Sequence, residues 1–251
     1  SNDTVKLMLP DGKEQYFKYT YTDNPNRTKY TSSQSSLTGD IDADFVGSKK
    51  GFSSGGGVNN SGTIDNLKGS FVYDYAPSGG GAVNNSGTIN NISADFVNNY
   101  AGLDRADQKG NGGAINNGKG AEIGNINGSF VGNEAGQGVG GGSGGAIYND
   151  SSSTSKGKIG DITANFVANV AKADGGAVYN NGYGEMKNIT GDFVGNYANN
   201  SGGAIYNKSY GRIQDINGNF IDNTAVSNGG AIYNLYYGNI NEIHGNFVAN
   251  T

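Results

Sequence analysis

The chain has 251 residues, of which 45 are glycine, 37 asparagine, 3 proline and none cysteine, and its net charge is −5. Without cysteine there is no disulfide framework, thiolate metal site or cysteine nucleophile, and one histidine, His244, excludes a zinc site built from several imidazoles. The acidic balance argues against a nucleic-acid partner, and no apolar run approaches the roughly 20 residues of a membrane helix, so membrane insertion is not expected.

Glycine and asparagine make up about a third of the chain, a composition usual in disordered segments. Regularly spaced Phe, Ile and Val, within a hydrophobic fraction of 34%, point instead to a packed fold. Glycine does not fall at every third position, which excludes collagen.

Residues 1–34 stand outside the pattern that follows. Val5-Lys6-Leu7-Met8-Leu9, then Pro10-Asp11-Gly12, then Tyr16 to Tyr21 predict a β-hairpin with its turn at Pro-Asp-Gly. A solenoid needs its open end covered, so this segment is expected to be an N-terminal β cap.

From residue 35 to 251 one unit recurs: Gly-Gly-Ala-(Ile/Val)-x-Asn, a short polar turn, apolar-x-x-apolar, then Phe-(Val/Ile)-x-Asn. Its phenylalanines are Phe45, Phe71, Phe96, Phe130, Phe166, Phe193, Phe220 and Phe247, spaced by 26, 25, 34, 36, 27, 27 and 27 residues. Each unit is predicted to hold three short strands of four to six residues, and no stretch carries the 3.6-residue period of a helix. The unit is too short for a four-stranded propeller blade and lacks the helical half of a leucine-rich repeat. The prediction is therefore an all-β, right-handed parallel β-helix of about eight coils, roughly 38 Å long at about 4.8 Å per coil. Equivalent positions stack in such a fold, so the phenylalanines, aliphatic pairs such as Ile89/Ile92, and Val58 to Ile232 should form inward columns. Burying about four such side chains per coil, at about 2 kcal/mol each, offsets the entropy of ordering so many glycines.

Two asparagine columns are expected to close the corners, one running from Asn60 to Asn234 and one from Ser48 and Asp74 through Asn99 to Asn250. Asparagine tolerates the left-handed backbone, and stacked amides can bond along the rod. Three insertions, at 102–111, 136–143 and 150–157, lengthen corners, and the charged one at 102–111 is the better candidate for binding. The last motif ends at Asn250-Thr251 without a capping sequence, so the native protein is expected to continue.

The candidate binding residues are tyrosines. In the C-terminal half the position between Ile/Val and its Asn becomes Tyr148, Tyr179, Tyr206 and Tyr233, where earlier coils carry Asn59, Asn84 and Asn116. Interchange with asparagine predicts a water-facing column. A second column, Tyr183, Tyr210 and Tyr237, follows across the adjacent turn. Exposed tyrosine ladders offer rigid contact area with a polar tip, suited to a protein or glycan partner.

Other chemistry is weaker. Asp215 and Glu242 are the neighbouring carboxylates, with Arg212 the nearest basic residue, and they set the alternative of a polysaccharide lyase or hydrolase. Residues 136–141 match Gly-x-Gly-x-x-Gly without a strand–helix context, so no dinucleotide site is expected. His244 reads as a solvated strand residue. No cofactor, metal site or catalytic residue is predicted.

Gly202-Gly203-Ala204-Ile205 with Phe220-Ile221-Asp222-Asn223, and Gly229-Gly230-Ala231-Ile232 with Phe247-Val248-Ala249-Asn250, resemble the repeat of the chlamydial polymorphic membrane proteins. Early coils depart from it at Gly57, Ser48 and Asp74. The resemblance implies a β-helical autotransporter passenger, extracellular at the bacterial surface, acting as an adhesin toward a host-surface protein or glycan. Lack of cysteine fits such export. The expectation is a non-catalytic, monomeric rod, the alternatives being the enzyme above or a passive stalk for a domain beyond residue 251.

Overall fold

The computed structural model describes residues 2–8, 14–20, 25–49, 54–102, 109–136 and 141–251. Among them every regular element is a β-strand. Asn2–Met8 and Glu14–Thr20 pair antiparallel, Asn2 opposite Thr20 and Met8 opposite Glu14. The expected turn at Pro10-Asp11-Gly12 lies outside the described residues. All other strand pairs are parallel, and they begin upstream of residue 35, where Thr28–Tyr30 lies on Gly39–Val46.

The coils build a parallel β-helix with three faces. The broadest face stacks Thr63–Val72, Thr88–Val97 and Glu122–Val131, then shorter strands down to Phe247–Val248. A second stacks three-residue strands from Val58–Asn60 to Ile232–Asn234. The third stacks two-residue strands from Tyr75–Ala76 to Thr224–Ala225. Three strands per coil were expected, but the division differs. The aliphatic pair and Phe-Val share one strand of 10 residues in three coils, and the third strand follows the Phe-x-x-Asn corner. Gly69 and Gly128, at φ of 135° and 150°, turn the chain between the aliphatic pair and the phenylalanine without breaking the ladder.

Identical residues stand in register. Phe45 to Phe247 form one internal stack, with ring centroids 4.6–5.0 Å apart and planes within 8° of parallel. Tyr30 lies over Phe45 at 5.1 Å and extends the stack by one ring. The aliphatic columns Ile64/Leu67 to Ile213/Ile216 and the column Val58 to Ile205 are buried with it.

The Gly-Gly-Ala signature divides into three separate demands. The first glycine is left-handed in all seven units, with φ between 60° and 76°. The second has no room for a side chain: a Cβ on Gly113 would sit 2.0 Å from the Gly145 carbonyl oxygen of the next coil. The alanine methyls of Ala82, Ala114, Ala146, Ala177 and Ala204 are fully buried. Gly57 replaces alanine where a Cβ would meet the Phe71 ring at 3.0 Å.

The left-handed residue at the Phe-x-x-Asn corner is not the asparagine, contrary to expectation. It is the residue before it: Gly47, Tyr73, Asn98, Gly132, Ala168, Gly195, Asp222 and Ala249. The asparagine side chain is needed inward, for bonds along the axis, and the corner is turned one residue earlier.

Candidate functional site

The asparagine columns are consumed by the architecture. From Asn60 to Asn207, each Nδ2 donates to Oδ1 of the next coil's asparagine at 2.8–2.9 Å. From Asn99 to Asn223, each Nδ2 donates both to Oδ1 of the next coil and to the phenylalanine carbonyl of the coil before. These amides are buried and have no hydrogen left for a ligand.

The first tyrosine column is a continuous ladder whose chemistry changes partway. Asn84 and Asn116 donate to Asn59 and Asn84 at 2.8 and 2.7 Å. Tyr148, Tyr179 and Tyr206 then stack at 5.1 and 5.0 Å, and Tyr233 tilts by 56° under Tyr206. This column does not face water as expected. Tyr179 and Tyr206 retain only 4% and 5% exposure, because each is covered by a ring on both sides. Tyr148 and Tyr233, at the ends of the ring stack, stay partly exposed. Burial, reinforced by the Asp150 carboxylate, holds the Tyr148 hydroxyl protonated far above the usual phenol range. Burial also raises Tyr179, with further contributions from Tyr148, Tyr206, Asp174 and Asp150. It pushes Tyr206 up to about 12, helped by Asp174.

The second column matches its expectation more closely. Tyr183, Tyr210 and Tyr237 stack at 4.9 and 5.1 Å, planes within 13°, and Tyr210 and Tyr237 are 47% and 73% exposed. Tyr236, which the repeat pattern did not single out, stands beside them, exposed and left-handed at φ 57°.

A polar groove of about 320 Å³ opens beside the first column. Lys109 and Asn111 from the insertion at 102–111, and Ser143 from that at 136–143, meet Tyr148, Tyr179, Asp174, Asn181 and Lys208 there. The two insertions lie on adjacent coils and extend the same corner, which is why they converge; residues 103–108 and 137–140 lie outside the described residues. Asp174 Oδ1 accepts from Asn200 Nδ2 at 2.7 Å and from the Ser201 amide at 3.1 Å. Burial raises the Asp174 carboxyl, and these donors together with Lys208 pull the other way. The insertion at 150–157 forms a separate small turn, with Ser151 bridging Lys156 and Lys156 Nζ 2.6 Å from Glu185.

The carboxylates weighed for hydrolysis do stand in register, Asp215 beside Glu242. Asp215 accepts from Asn241 at 2.9 Å, and Glu242 contacts His244 Nε2 at 2.9 Å. Arg212 lies toward the other end of that strand, in register with Glu185. His244 is solvent-facing, with 63% of its side chain exposed.

Residues 191–208 and 217–235 match the family model of the Chlamydia polymorphic membrane protein repeat. No curated protein and no solved structure matches the chain. Each matched segment holds a Phe-x-x-Asn corner, at Phe193 and Phe220, and a Gly-Gly-Ala-Ile-Tyr-Asn strand, and the other coils repeat the left-handed corner. The chain carries Chlamydia polymorphic membrane protein-type repeats, wound into a parallel β-helix.

Proposed function

We propose that the chain is a non-catalytic, monomeric passenger of the autotransporter type, displayed outside the bacterial cell, that adheres to a host-surface protein or glycan. The repeat family supports the surface location. The observation that carries adhesion is the stack Tyr183–Tyr210–Tyr237, half-buried at Tyr183 and exposed at Tyr210 and Tyr237. Its rings are already ordered by one another and by the coils beneath, so a partner gains amphipathic contact area with little further loss of side-chain entropy. Of the other column, Tyr148, Tyr179, Tyr206 and Tyr233, the first two line the groove and join the binding surface there. The antiparallel hairpin Asn2–Met8/Glu14–Thr20 fits a cap for the first coil, whose edge would otherwise be open.

Replacing Tyr183, Tyr210 and Tyr237 together by serine should reduce attachment of the purified protein to host cells about tenfold or more, with its melting temperature little changed. Full attachment by the folded triple variant would defeat the assignment. Tyr179→Ser, in the buried column, should lower the melting temperature instead.

A further inference from the structure

We propose that the groove between the two inserted corners and the first tyrosine column binds an acidic saccharide, a sugar unit bearing one carboxylate or sulfate. This rests on the adhesive reading above and gives it a ligand class. Among the described residues, the groove's polar atoms are held from one side and keep further bonding capacity. Asp174 Oδ1 is taken by Asn200 and Ser201, which leaves Oδ2 as an acceptor. Asn181 uses both Nδ2 hydrogens on the Tyr148 hydroxyl at 3.1 Å and on Asp150 Oδ1 at 2.9 Å, which leaves its carbonyl oxygen. Asn111 Oδ1 holds the Ser143 amide at 3.0 Å, which leaves its Nδ2 hydrogens and the Ser143 hydroxyl as donors. Among the described residues neither Lys109 nor Lys208 is in an ion pair.

Two fixed acceptors interleaved with neutral donors suit vicinal hydroxyls, each of which donates and accepts. The ammoniums of Lys109 and Lys208 suit a single anionic substituent. Lys109, Lys208 and Asp174 are the charged groups among the described lining residues, with the Asp150 carboxylate behind Asn181. The two carboxylates repel a polyanion such as a nucleic-acid strand, and the mostly neutral donor set is a poor match for a phosphorylated peptide. The volume of about 320 Å³ lies at the small end of the usual range for ligand pockets, consistent with one or two sugar units.

The test is binding of the whole chain to oligosaccharides of equal length that are carboxylated, sulfated or neutral, with a phosphoserine peptide as a further probe. An acidic oligosaccharide should bind best, more weakly as salt rises. Lys109→Gln and Lys208→Gln should each weaken it about tenfold, the scale of one charge-assisted hydrogen bond. Lys119→Gln, an exposed lysine elsewhere, should leave binding unchanged. Equal binding of neutral sugars, preference for the phosphopeptide, or full affinity in both groove variants would overturn the proposal. Host-cell attachment without any saccharide binding would overturn it while leaving the adhesive reading intact. Loss of attachment in the Tyr183/Tyr210/Tyr237 variant with saccharide binding retained would support both, as separate surfaces.

Discussion

Among single residues, Asp74 shows how strictly the ladder dictates chemistry. It occupies an asparagine position, fully buried, with Oδ1 accepting the Ser48 amide at 2.7 Å. Its Oδ2 has no partner and stands where the other coils place Nδ2, facing Phe45 carbonyl and Asn99 Oδ1 by the column's pattern. Two acceptors there repel a carboxylate but satisfy a carboxylic acid, and burial raises the Asp74 carboxyl well above its ordinary value of 3.8. The stabilisation is complete below about 3.8 and is lost as pH climbs from there toward the raised folded value, because the unfolded chain gives up its proton first. Asp74→Asn should therefore raise stability at neutral pH and flatten this decline, as measured by denaturant midpoints from pH 4 to 8. No change in the pH profile would mean that Oδ2 carries no proton. The sequence marked residue 74 as an exception in its column, but only the neighbouring coils define which atom lacks a donor.

At the scale of the element, the repeat's glycines and its variable corner residue have opposite meanings. Gly113→Ala should destabilise by several kcal/mol, since a Cβ 2.0 Å from the Gly145 oxygen forces two coils apart. Ala168→Gly should instead stabilise by about 1 kcal/mol, because a left-handed alanine at φ 53° costs about 1–2 kcal/mol, reduced by glycine's greater unfolded-state entropy. Denaturant unfolding of both variants checks the signs. The strand content of each unit was legible from β-branched and aromatic residues, and its boundaries were not, since Gly69 reads as a strand end although the ladder runs through it. The first tyrosine column was misjudged for a related reason. Asparagine and tyrosine interchange there because both can build a ladder, not because both face water.

Across the whole molecule, stability is distributed along one axis, each coil resting on its two neighbours. Phe130→Ala removes a fully buried ring between Phe96 and Phe166 and should cost about 3–5 kcal/mol. Denaturant unfolding checks it, and a cost below about 1 kcal/mol would contradict a packed stack. The sequence by itself determined the coil: its length, its inward columns, the asparagine positions and the glycine punctuation, because each is a constraint within one repeat or between identical positions of adjacent repeats. The tertiary structure decided how closely each side chain is covered and which unlike segments meet. It buried Tyr179 between its column neighbours, exposed Tyr210 and left Asp74 Oδ2 without a donor. It also gathered Lys109, Ser143, Asp174 and Lys208 around one groove, residues that share no repeat position, so periodicity cannot encode their meeting.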